Sequence, residues 1–255
     1  MDVDALLEWY ERVRRPLPWR ETRDPYALLV SEVMLQQTQA LRVVPYYERW
    51  LEAFPTTAAL AAAPVRDVLA LWSGLGYNRR ALALQRAAAW VAEHGWPADL
   101  TELPGVGKYT AAAVSSFAWD WDMAAVDTNV RRVITRREGD VDVDARAAAL
   151  LPRGRAAQFN QAMMELGATV CRPRVPDCAR CPVERGCRRL IAAPVRRGAS
   201  VRFEDTDRWA RGRVIASLLA GEPFPLAGER LERALRGLER DGLIVRDAAG
   251  QPQLP

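Results

Sequence analysis

Lysine and histidine are almost missing from this chain. Lys108 is the single lysine and His94 the single histidine, so arginine carries nearly all the positive charge. No apolar run approaches the roughly 20 residues that a membrane-spanning helix needs. The chain opens Met1-Asp2-Val3-Asp4, acidic and leading straight into an amphipathic pattern, which is not how a secretory signal begins. The expectation is a cytoplasmic protein with no membrane partner. All four cysteines fall within one 17-residue stretch, so no disulfide framework can be drawn across the chain. Alternating strand-like patterning is absent before residue 200, and no internal repeat is present.

What remains is a composition able to fold. Hydrophobic residues make up 49% of the 255, enough for one or two cores, and charged residues make up 27%. The net charge is only +4, but it is unevenly spread. Between Cys171 and Arg213 there are 12 arginines against 5 carboxylates. Arginine presents a planar fork that binds two phosphate oxygens at once, so a nucleic-acid partner fits this bias. A solvated arginine-rich surface fits it too.

Helical signals dominate. Asp24-Pro25 reads as an N-cap with proline at the first helical position. Apolar periodicity predicts helices over 41–54 (with Pro45 as a kink or early-turn residue), 65–72, 80–94, 108–119, 129–136, 146–151 and 158–170. The first 190 residues read as all-α. Residues 194–204 are polar and arginine-rich, a linker pattern. Helices over 208–220 and 227–240 follow, then Leu243-Ile244-Val245 and a turn at Asp247-Ala248-Ala249-Gly250. Two helices and a small hairpin resemble a winged-helix module.

The cysteines Cys171, Cys178, Cys181 and Cys187 are spaced C-x6-C-x2-C-x5-C. Four clustered thiols point to a metal site. Four-thiolate zinc and iron–sulfur centres both use such ligands, and spacing alone does not choose between them. His94 is remote in sequence, which argues against mixed Cys/His ligation. Upstream, Leu103-Pro104-Gly105-Val106-Gly107-Lys108-Tyr109-Thr110 sets two glycines directly before an apolar helix. Glycines let a backbone come close, and a helix start offers N–H groups to an anion. The pattern suits a phosphate, or simply a tight turn. Asp127, in Val126-Asp127-Thr128-Asn129-Val130-Arg131-Arg132-Val133, reads first as an N-cap.

Taken together, the glycine hairpin, the aspartate segment and the cysteine loop resemble the helix-hairpin-helix Gly/Pro/Asp superfamily typified by endonuclease III. Leu17-Pro18-Trp19-Arg20, Ser31 to Gln39 (SEVMLQQTQ), Gly74-Leu75-Gly76-Tyr77 and Phe159 to Ala168 (FNQAMMELGA) are similar to segments of its MutY branch, the adenine DNA glycosylases. The likeness covers roughly residues 5–190. It implies a two-lobed helical fold: residues 1–20 and 128–193 as an iron–sulfur domain, 21–127 as a six-helix barrel carrying the hairpin, then the linker and a winged-helix-like tail over 205–255. It also implies a 4Fe–4S cluster on the four cysteines. The partner would be mismatched double-stranded DNA, met by a monomer.

By the same resemblance Glu32 is the general acid that protonates the departing purine, and Asp127 the carboxylate that stabilises the sugar cation. The chemistry agrees: breaking an N-glycosidic bond needs one protonated and one ionised carboxyl. Tyr109 stands where lyase-type relatives carry a Schiff-base lysine, which implies a monofunctional hydrolase. Gln37 and Tyr77 match residues that wedge into the duplex. Gly105, Gly107, Lys108 and Thr110 match the DNA-binding hairpin, and Trp19, Arg20 and Glu165 the adenine pocket. The expected activity is excision of adenine opposite 8-oxoguanine or guanine. The alternatives are a thymine or uracil mismatch glycosylase and a non-catalytic DNA-binding protein. The tail is too short for the MutT-like domain that many MutY proteins carry.

Overall fold

The computed structural model describes residues 1–191 and 201–255. The expected linker lies outside the described residues as far as residue 200. By contact the chain divides into two units, the first made of Met1–Glu32, Asp99–Thr101 and Val106–Arg196. Here α1 (Val3–Val13) starts on the Asp2 carboxylate, which accepts from Ala5 N at 3.0 Å. Its apolar stripe of Leu6, Leu7, Trp9 and Tyr10 packs on Val130, Val133 and Ile134 of α8 (Thr128–Glu138). Phe159, Ala162 and Met163 of α10 (Ala156–Glu165) complete this core.

Between these lie α2 (Pro25–Leu35), α7 (Lys108–Trp119) and α9 (Val143–Leu150). Asp24 caps α2 as expected, accepting from Tyr26 N at 3.0 Å. Residues 110–118 of α7 are buried on every side, and their alanines and serines let it sit close to α10. Asn160 joins the two: its amide donates to Ser116 Oγ at 3.0 Å and to the Met123 carbonyl at 2.8 Å. This packing groups α7 with the first unit, whereas the expected division set residues 21–127 apart as one lobe. The helix expected over 158–170 is also interrupted. After Glu165 the chain widens into a π-helical turn, Leu166–Val170, closed by Cys171 N on the Leu166 carbonyl at 2.7 Å.

The second unit is Val33–Ala98, Glu102–Gly105 and Arg197–Pro255. It contains α3 (Ala40–Ala53), which runs through Pro45, then α4 (Thr57–Ala62), α5 (Val65–Trp72) and α6 (Arg79–His94). α4 is absent from the sequence reading because six alanine-rich residues show no periodicity; its start is the Thr56 cap, which accepts from Ala59 N at 3.1 Å. Trp50 anchors this core, edge-on to Trp72 at 5.5 Å and to Phe54 at 5.2 Å. The C-terminal module is two helices and a hairpin, as expected. α11 (Asp207–Ala220) packs on α12 (Gly228–Arg240) and touches α5. β1 (Val245–Arg246) pairs antiparallel with β2 (Pro252–Gln253). Among the described residues no helix is long and apolar enough to cross a membrane.

Candidate active site

Glu32 lies on α2, 5% exposed, with Ser31 beside it wholly buried. Burial raises its carboxyl from the ordinary 4.5 to about 7. The Tyr109 hydroxyl donates a hydrogen bond to it and pulls the other way, while the Asp127 charge adds to the rise. Tyr109 is the second residue of α7, and its phenol is held well above 10 by burial and then by the charges of Glu32 and Asp127. Asp127 is the N-cap of α8: Oδ1 accepts from Val130 N at 2.7 Å and Oδ2 from Asn129 Nδ2 at 2.6 Å. Asp127 is therefore the cap that its segment suggested, and its carboxylate also lies within the electrostatic reach of Glu32. Glu32, Tyr109 and Asp127, far apart in sequence, form one electrostatic cluster.

Behind Asp127 runs a chain of contacts that the sequence reading missed. Asn129 turns its amide to Asp127 and its oxygen to Arg132 Nη2 at 2.7 Å. Arg132 also donates to the Gly167 carbonyl at 2.7 Å and the Cys171 carbonyl at 2.8 Å. Gly167 has no room for a side chain: a Cβ there would stand 2.5 Å from Asn129 Cβ and 3.0 Å from its backbone. The π turn thus abuts the start of α8.

Of the residues expected to form the base pocket, Trp19 is buried in a short 3-10 turn, Pro18–Arg20. Arg20 and Glu165 bind each other. Glu165, 1% exposed, accepts from Arg20 Nη2 at 2.7 Å and from Arg15 through two bonds of 2.8 Å. Burial pushes its carboxyl up, but the two guanidinium groups outweigh it and hold it below the usual range. Arg15 is the partner that sequence reasoning did not find.

The DNA-facing candidates divide. Gly107 and Lys108 are exposed at the start of α7. The first helical bond is Ala111 N to the Gly107 carbonyl at 2.9 Å, so the N–H groups of residues 108–110 precede the ladder. Thr110 is 3% exposed, its side chain inside, while its N–H precedes the helical ladder. In the second unit Gly105, at φ +79°, lies against Ala83, where a Cβ would come within 2.6 Å. Gln37 and Tyr77 both take left-handed backbone, at φ +58° and +51°, unusual for residues with side chains. Arg80 holds both loops, donating to the carbonyls of Val33 (2.7 Å), Gln36 (2.7 Å) and Gly76 (2.9 Å). Burial, then nearby Arg208, lowers its guanidinium to about 10.

The four cysteines line one small cavity of about 30 Å³ with Val170, Pro176 and Arg136. All are free thiols, and the Cys181 thiol is raised, by burial first and then by its three neighbours. Arg136 donates to Cys171 Sγ at 3.3 Å and to the Arg172 and Pro173 carbonyls, while Arg137 holds Val183 O and Arg185 O. Among the described residues, no three side chains converge as they would on a single metal ion.

A buried acid beside a second carboxyl is an arrangement able to break a glycosidic bond. Comparison with known proteins agrees. The family described as HhH-GPD superfamily base excision DNA repair protein matches residues 30–147. The adenine DNA glycosylase of Mycobacterium tuberculosis is 42% identical over 283 residues, covering 98% of this chain and 92% of that protein. Among solved structures, a thermostable thymine-DNA glycosylase superposes with a TM-score of 0.68 at 32% identity, covering 73% of this chain and 93% of that one. A trapped endonuclease III–DNA covalent intermediate superposes with a TM-score of 0.63 at 26% identity, covering 73% and 92%. The chain belongs to the HhH-GPD superfamily of base excision DNA repair proteins, and within it to the family of the adenine DNA glycosylases.

Proposed function

We propose that this chain is a monofunctional DNA N-glycosylase that removes adenine mispaired with guanine or 8-oxoguanine. The observation that carries the reading is Glu32: a buried carboxyl at about 7 gives up a proton at neutral pH, as a general acid must. Glu32 protonates a ring nitrogen of the extruded adenine, the bond to the sugar breaks, and the base leaves neutral. Asp127, its carboxylate fixed by Val130 N and Asn129, faces the positive charge left on the sugar. Water then adds to the sugar, and its proton passes to a carboxylate of the pair. Tyr109 has no amine for a Schiff base, and the one lysine, Lys108, is exposed at the helix start. The base must leave the stack first, and Gln37 and Tyr77 are the residues that enter the duplex in its place.

Cys171, Cys178, Cys181 and Cys187 would hold a 4Fe–4S cluster. Support comes from the four thiols that line one cavity, with the Arg136 cation on Cys171. Bound, the cluster would cross-link the loop and supply no redox step, since hydrolysis transfers no electrons.

The nearest competing activity is removal of thymine opposite guanine, on the strength of the structural likeness to a thymine-DNA glycosylase. Duplexes holding A·8-oxoguanine, A·G, T·G and U·G, assayed with and without alkali, separate the two. Strand cleavage is expected on the adenine duplexes only, and only after alkali. Cutting of T·G alone would replace this reading with the thymine one.

A further inference from the structure

The loop bearing Tyr77 is partly covered by the C-terminal module. The Arg208 guanidinium stacks on the Tyr77 ring at 4.0 Å and lies 5.7 Å from the ring of Phe203. Both rings are exposed, Tyr77 by 41% and Phe203 by 54%. The stack borders a cavity of about 650 Å³ lined by Gln37, Tyr77, Arg80, Arg86, Arg208 and Arg211 among others. Of the other arginines there, Arg86 has neither hydrogen bond nor ion pair among the described residues, but no ring orients it. Arg80 serves backbone carbonyls, and Arg79 and Arg211 both pair with Asp241. Arg208 has neither hydrogen bond nor ion pair among the described residues.

Its position is electrostatically poor. Arg208 is in the first turn of α11, where the helix dipole opposes a cation, and it lies near the half-buried Arg80 guanidinium. A guanidinium oriented by two rings, with its N–H donors uncommitted among the described residues, is one arranged for an acceptor. Resting on the reading above that Tyr77 enters the duplex, a side chain stacked on the exposed Tyr77 ring is carried beside the base orphaned by extrusion; Arg80, 5.5 Å from the same ring, is held by backbone carbonyls. The arginine fork matches the paired acceptors O6 and N7 of guanine, whereas cytosine presents an amino donor at the corresponding edge.

We propose that Arg208, on the C-terminal module, reads the base opposite the target adenine and selects guanine. The module is then a specificity element, and Phe203 orients the reading group.

The test compares the wild type with Arg208→Ala, Arg208→Lys and Phe203→Ala. Single-turnover excision is measured on A·G and A·C duplexes, and equilibrium binding on duplexes with an abasic analogue opposite guanine or cytosine. A bidentate contact discriminates by about 1–3 kcal/mol, so Arg208→Ala should lower the guanine-over-cytosine ratio roughly 5- to 150-fold in both assays. Arg208→Lys keeps the charge without the fork and should not restore the ratio. Phe203→Ala should lower it part of the way. Equal losses on both duplexes would mean a phosphate contact and overturn the proposal, as would unchanged ratios. The binding assay needs no turnover. A wild type that excises nothing would sink the proposed activity while the binding ratio still decided the role of Arg208.

Discussion

Replacing Glu32 by glutamine should make the protein more stable and less active, by amounts the burial of Glu32 sets. Ionising this carboxyl in the fold costs the difference between about 7 and 4.5, about 3 kcal/mol in all. Because the folded value is raised, the stabilising contribution of the neutral acid is complete below pH 4.5 and is lost as pH rises through about 7. Between pH 5.5 and 8.5 the wild type should lose roughly 2 kcal/mol that the glutamine variant keeps. For a chain of this size that is roughly 4–8 °C in melting temperature, readable by scanning calorimetry at the two pH values. Excision should move the other way. The wild-type single-turnover rate should fall about tenfold per unit above pH 7 as the acid form is depleted. The variant should be slower by roughly 10²- to 10⁴-fold. A variant as fast as the wild type, or a melting gap that stays constant from pH 5.5 to 8.5, would refute the assignment of a buried acid at this position.

Asp127→Asn should abolish excision while leaving DNA affinity and melting nearly unchanged, since asparagine still caps α8; parallel loss of binding and activity, seen by fluorescence anisotropy and single-turnover cleavage, would contradict a purely chemical role. Gly167→Ala should destabilise the fold by about 1–3 kcal/mol, as the new methyl meets Asn129 at 2.5 Å. Its excision rate at a temperature where it is fully folded should fall, because Asn129 orients Asp127. An unaltered rate in a folded Gly167→Ala protein would separate the π turn from catalysis.

The helices were legible where a face repeats and a cap precedes it, as at Asp24, and they blurred where composition gives no face. α4 is six residues of mostly alanine, and the end of α10 relaxes into a π turn that no local pattern marks. At the site, Glu32 and Asp127 could be named from their segments. Their convergence on Tyr109 depends on tertiary packing and could not be read from spacing. The same holds for the arginines. Arg15, Arg80, Arg132 and Arg136 each join segments distant in sequence, and in a chain with 36 basic residues none stands out before folding. Thr110 shows that a motif does not give orientation, for its side chain faces the interior.

The left-handed backbone at Gln37 and Tyr77 has a consequence for how this enzyme spends its time on DNA. A non-glycine residue in that conformation costs of order 1 kcal/mol, and Arg80 holds both loops there with no DNA present. On the proposed reading, in which Gln37 and Tyr77 enter the duplex, the probe is set before contact, and each base pair it meets is tested without first ordering a loop. Almost every pair so tested is sound. For a protein that must inspect a whole chromosome to find one error, a strain settled once at folding replaces a delay repeated at every step of the search.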